Sequence, residues 1–251
     1  MGGFKIVGKS IAYACTHKKV LICILIGVVI SLLLTFLFDQ GTTSSNSIYF
    51  YESVKTFVLL VWAVWLATFV MHSFRHDSLS LAQSLRLAVK NSFSAWWFVV
   101  WIIILDSIFI FSYTAPKSYG ETPLVLLFFG TMGLGIFQRS LNFFMVPLIA
   151  DGVTSITIAI PKAFVYLVRN ILRVLAVVIA MAIVGIIIFM AYGFCDIFIQ
   201  MLLEKLFVAE NVRVYMKLVL TQFFSITTYG LLIIAQVILY LQIQKKENML
   251  D

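Results

Sequence analysis

One carboxylate and four neutral polar side chains hold most of the chemistry this sequence can offer. Asp106 lies inside an apolar run, about seven residues or 10 Å from the end of that run at Tyr113 by helical rise. A carboxylate in hydrocarbon is costly, so such a group faces a bundle interior or water. In the last apolar run, Gln222, Ser225, Thr228 and Tyr229 follow at spacings of 3, 3 and 1, at a comparable depth and largely on one helix face. Together with Asp106 they make a candidate intramembrane polar site. It reads either as a substrate or proton site opening outward or as a hydrogen-bonded packing contact with Asp106 protonated.

Other spacings are weaker pointers. Gly130, Gly133 and Gly135 spell G-x-x-G-x-G, but no strand and no Lys-Ser/Thr pair accompany them, so with Pro147 they read as helix packing or a hinge. His72 and His76, four apart and followed by Asp77, would suit a metal on one helix face but have no third ligand, which favours solvated histidines and no metal. Cys15, Cys23 and Cys195 are isolated thiols. No Ser-His-Asp set, shared carboxylate pair or dinucleotide fingerprint occurs, and the expectation is a protein without enzymatic activity or cofactor.

The elements that must position these residues are membrane spans. Of 251 residues, 62% are apolar and 12% charged, whereas a soluble domain carries about 25% charged residues. Apolar runs at about 20–38, 54–73, 95–114, 123–148, 174–196 and 218–243 are each long enough to cross a bilayer as a helix. The predicted fold is therefore an all-α polytopic bundle of about six transmembrane helices in a single transmembrane domain, 1–251. A segment from about Ile197 to Tyr215, with Met201, Leu202, Leu206 and Phe207 set against Glu204, Lys205 and Glu210, is expected to lie on the outer surface as a helix. Trp62 and Trp65 are expected to pack between helices.

The net charge of +7 comes from scattered cations rather than a dense patch, which argues against nucleic acid. In the six-span arrangement, 13 of the 18 Lys and Arg fall on one side, placing both termini in the cytoplasm and the chain in a plasma membrane, a bacterial inner membrane by its lack of glycosylation acceptors.

Segments before the first, third and fifth spans are amphipathic. Leu81, Leu85, Val89 and Phe93 recur every four residues, as do Ile160, Phe164 and Val168. Aligning Lys90-Asn91 with Arg169-Asn170 gives an offset of 79 residues, and a fainter first copy lies about 74 residues earlier. The pattern predicts three parallel units, 1–73, 74–152 and 153–251, each an interfacial helix followed by a two-span hairpin. The cations of these segments, Arg86, Lys90, Lys162, Arg169 and Arg173, with Arg139 snorkelling from the fourth span, are the candidate contacts for lipid headgroups.

The stretch Asn142-Phe143-Phe144-Met145-Val146-Pro147-Leu148-Ile149-Ala150-Asp151-Gly152, followed by Ala159-Ile160-Pro161-Lys162-Ala163, resembles a loose group of uncharacterised prokaryotic multi-pass membrane proteins. In that group an F-x-x-P-x-I-x-D/E-G turn precedes an amphipathic helix. Ala163 stands where such proteins usually place Ser, although Ser84 occupies that place in the middle copy. The resemblance implies architecture and no activity.

The function expected from these features is a membrane scaffold or accessory subunit that grips anionic lipid and sits beside other membrane proteins. A small transporter with its site around Asp106 is the alternative, and an intramembrane lipid-active enzyme is the third.

Overall fold

The structure is a computed structural model that describes residues 2–39, 45–75, 79–104, 141–206 and 210–247. Nine helices occur among them: α1 (Gly3–Thr16), α2 (Lys18–Asp39), α3 (Ser45–Phe74), α4 (Leu81–Ser94), α5 (Trp96–Ile104), α6 (Leu141–Ala150), α7 (Ile156–Arg169), α8 (Ile171–Lys205) and α9 (Glu210–Glu247). Among the described residues, four helices (α2, α3, α8 and α9) are long and apolar enough to cross a membrane, or five if α4 and α5, bent by 56° at their junction, count as one broken span. The third and fourth expected spans, with Asp106, Gly130, Gly133, Gly135 and Arg139, lie wholly or partly outside the described residues.

The long helices form because nothing in them breaks a helix and their apolar side chains cannot be left in water. They differ in what they bury. α8 is apolar on all sides, and only 22% of its most apolar window is covered by the protein. Ile179, Ile183, Ile186, Ile187 and Met190 are exposed along it, which is the condition of a helix against lipid. In α9, every residue from Ile233 to Tyr240 is buried. Its neighbours are α1, α2, α3 and α8, so α9 is the post around which the bundle packs. Trp62 and Trp65 do pack between helices: the Trp62 indole donates to the Cys23 carbonyl at 2.8 Å, and that of Trp65 to the Leu81 carbonyl and Ser84 Oγ at 3.2 and 3.0 Å.

Short helices α1, α4 and α7 each have 14 residues. Each stops at one residue, His17, Ala95 or Asn170, before a further helix begins. The N–H of that stop residue donates to the carbonyl four residues back, that of Tyr13, Asn91 or Tyr166. Counted from the first residue, the fourth, eighth, eleventh and twelfth positions are buried in all three. These are Ile6, Ser10, Tyr13 and Ala14 in α1, Ser84, Ala88, Asn91 and Ser92 in α4, and Ala159, Ala163, Tyr166 and Leu167 in α7. Such a stripe is what a helix with one packed face presents. α4 is started by a capping box, with Ser80 Oγ accepting from the Gln83 N–H and the Gln83 side chain from the Ser80 N–H.

The short helices do not stand clear of the bundle. α4 doubles back along α3, from Trp65 at its start to Phe93 beside Phe57, ring centroids 5.1 Å apart, near its end. α1 is wedged against α8 and α9, so closely that a Cβ on Gly3 would strike the backbone of Ala176. Among the described residues of about 197–215, the expected separate surface helix does not occur. α8 continues to Lys205 and α9 starts at Glu210, because no Gly or Pro interrupts 197–205 and an unbroken helix keeps its hydrogen-bond ladder.

Candidate functional site

One end of the bundle gathers the starts of α2 and α8, the ends of α3 and α9, and the turn after α6. Lys18, Lys19, Arg75, Arg169, Lys245 and Lys246 lie at that end. Pro147 occupies α6 and its carbonyl accepts from the Asp151 N–H at 2.9 Å. The helix then ends in a Schellman motif. Gly152 N–H donates to the Ile149 carbonyl at 3.0 Å and Val153 N–H to that of Leu148 at 2.9 Å, with Gly152 at φ +85°.

That turn aims Asp151 at the centre of a polar clasp. Arg75 Nη1 donates to Asp151 Oδ1 at 2.7 Å, and Arg75 Nη2 to Gln244 Oε1 at 2.9 Å. Tyr240 Oη and Gln244 Nε2 donate to Asp151 Oδ2 at 2.7 and 2.9 Å. Burial by itself would raise the Asp151 carboxyl, but donation from Arg75, Tyr240 and Gln244 and the guanidinium charge of Arg75 outweigh it and hold the group below its ordinary value. A second link follows. Tyr166 stacks edge-on against Tyr240 and donates to Glu247 Oε2 at 3.1 Å, and Arg169 lies 3.9 Å from Glu247 Oε1. Burial and the neighbouring Glu247 carboxylate push the Tyr166 phenol up.

Beside the clasp, where α1 meets α2, lies a recess of about 380 Å³ lined by Thr16, His17, Lys18, Lys19, Phe69, Ser73 and Leu79. It is built on an aromatic column in which His17 stacks on Tyr13 at 3.9 Å and Tyr13 on Phe74 at 4.7 Å. His17 Nδ1 is 3.0 Å from the Tyr13 carbonyl and from Thr16 Oγ1, which fixes the ring. Of the first N–H groups of α2, those of Val20 and Leu21 donate to the His17 carbonyl at 2.9 and 3.2 Å, which leaves those of Lys18 and Lys19 for a ligand, and both lysines are exposed. Cations and helix-terminal N–H groups in one recess suit an anionic oxygen cluster such as a phosphate.

The cations expected to meet lipid headgroups separate. Arg169 is exposed at the basic end, Arg173 is half-buried near it, and Lys162 Nζ lies over the Tyr166 ring at 5.8 Å. Arg86 and Lys90, both exposed, ride on α4 alongside α3. There the Trp65 contact sits nine residues, or about 13 Å of rise, from the end of α3 at Phe74. His72 lies near the end of α3, while His76 and Asp77 fall outside the described residues.

The expected polar face of the last run divides. Gln222 turns to α2, accepting from Ser31 Oγ at 2.6 Å and donating to Thr35 Oγ1 at 3.4 Å. Ser225, Thr228 and Tyr229 instead line a cleft between α8 and α9, with Tyr192, Thr221 and Gln236. Asp151, Arg75, Tyr240 and Gln244 were not singled out by spacing. Their one sequence signal is the Asp151-Gly152 turn, whose partners lie 76 to 93 residues away.

Compared with family models, curated proteins and solved structures, the chain matches none.

Proposed function

We propose that the protein is a multi-pass plasma-membrane scaffold or accessory subunit, without catalytic activity, that grips anionic lipid of the cytoplasmic leaflet at its basic end. The observation that carries this reading is the recess of His17, Lys18 and Lys19 over the start of α2. Exposed Lys5, Lys9, Arg169, Lys245 and Lys246 support it. So does the engagement of the two described carboxylates at that end, Asp151 with Arg75 and Glu247 with Arg169.

The same reading takes α1, α4 and α7 as the leading helices of three parallel units. Their starts at Gly3, Leu81 and Ile156 set the first spacing at 78 residues and the second at 75, in place of the 74 and 79 taken from polar landmarks. Their shared buried positions are the support.

The test is native mass spectrometry of the full chain released from nanodiscs holding equal phosphatidylglycerol and phosphatidylcholine. The protein should retain phosphatidylglycerol preferentially. Each near-surface cation contributes about 1 kcal/mol, so Lys18→Ala with Lys19→Ala should weaken that preference about 30-fold. Equal retention of the two lipids by the unmodified chain would sink the proposal.

A further inference from the structure

The cleft between α8 and α9 has a volume of about 690 Å³, within the roughly 300–1,000 Å³ of small-molecule sites. From Thr221 to Gln236 on α9 it spans 15 residues, or about 22 Å of rise. That exceeds half of the about 30 Å hydrocarbon layer, so it accommodates one extended lipid chain. Its α8 wall includes Met181, Ile188 and Phe189, and the outer surface of α8 is exposed and apolar. The medium at its mouth is therefore hydrocarbon rather than water.

One group in this apolar cleft asks for a polar ligand. Gln236 is 6% exposed, lines the cleft, and its Oε1 has no hydrogen-bond partner among the described residues. A buried amide oxygen left unpaired is destabilising, and only a donor removes that penalty. Gln236 also lies on the part of α9 that leads to the basic end, with Arg173 five residues before Val178, which lines the cleft.

We propose that the α8–α9 cleft binds a membrane lipid through a single chain, with a hydroxyl next to that chain donating to Gln236 Oε1. The proposal deepens the lipid-gripping reading but does not depend on headgroup charge, so the two can fail separately.

Neutral probes isolate it: monoolein, which carries hydroxyls beside its chain, and methyl oleate, which carries none. Each is titrated into the detergent-purified full chain and read by native mass spectrometry. One monoolein should bind per chain, about five-fold tighter than methyl oleate, the factor expected of one neutral hydrogen bond. Gln236→Leu should erase the difference while both still bind. A Cβ on Gly185 meets nothing closer than Thr228 Cγ2 at 4.0 Å, so Gly185→Phe should fill the cleft without backbone collision and cut binding of both at least ten-fold. Gly193→Phe, outside the cleft lining, should leave both unchanged. Unaltered binding in Gly185→Phe, a hydroxyl preference that survives Gln236→Leu, or a chain dimer that Gly185→Phe dissolves would each overturn the proposal. Loss of phosphatidylglycerol preference in the lysine variants, with monoolein binding intact, would touch only the headgroup site.

Discussion

Arg75, just past the end of α3, donates to Asp151 at 2.7 Å across 76 residues of sequence, and through that carboxylate reaches Tyr240 on α9. The contact ties the close of the first hairpin and the turn after α6 to the post of the bundle. Three elements distant in sequence thus share one anion.

Removing that anion should loosen all three. Asp151→Ala leaves the Tyr240 hydroxyl without its acceptor and takes one of two from the Gln244 amide, which keeps Tyr240 Oη, and from Arg75, which keeps Gln244 Oε1, at a cost of about 1–3 kcal/mol. The lower part of that range is expected, because the Arg75 side chain is 36% exposed and water screens its charge. Arg75→Ala should cost less, since Tyr240 and Gln244 still donate to Asp151. Thermal unfolding in detergent, followed by circular dichroism, reads both. Equal stability of Asp151→Ala and the unmodified chain would show the clasp to be ornamental.

Acid should do the same work as mutation. Asp151 is held below its ordinary value in the folded chain, so its contribution is complete above the unfolded carboxyl pKa of about 3.9 and disappears as pH falls through the lower folded value. The melting temperature of the unmodified chain should therefore fall towards that of Asp151→Asn below about pH 4. Two melting curves that stay parallel from pH 7 to pH 3 would contradict the assignment.

The shared buried stripe of the short helices predicts a periodic intolerance. Ser10, Ala88 and Ala163 are each the eighth residue of their helix and each fully buried. Leu at any of them should destabilise by about 1–3 kcal/mol through overpacking. Leu at the exposed Ala12 or Ala82 should change little. Chemical unfolding of the five variants compares them directly, and a tolerant eighth position would separate that helix from the other two.

Local physics was readable from the chain alone where it acts alone. Apolar runs gave α2, α3, α8 and α9, and a four-residue rhythm gave α4 and α7, because each depends only on what a helix does with its own side chains. Trp62 and Trp65 could be placed between helices for the same reason. The register of the short helices was not readable. Lys90-Asn91 and Arg169-Asn170 look equivalent, but Asn91 is buried and donates to the Ile149 carbonyl, whereas Asn170 stops α7 and donates to the Tyr166 carbonyl. The same residue type performs two tasks, four positions apart in the helix frame. The polar face of α9 was half readable. Periodicity put Gln222 with Ser225, Thr228 and Tyr229, but a one-dimensional pattern does not say which neighbouring helix offers Ser31 and which leaves an opening. The Asp151 clasp was least legible, since only Tyr240 and Gln244, four apart on α9, share a helical spacing and both lie far in sequence from Arg75 and Asp151.

The wedge of α1 against α8 and α9 orders events in time. α1 leaves the ribosome before α8 and α9, and the backbone that Gly3 touches at Ala176 is made more than 170 residues later. Until then its packed face, with Ile6, Val7 and Ser10, has no native seat, and a helix of 14 residues is too short to be stable by itself in water. Seating of α1 thus waits until both α8 and α9 have been made.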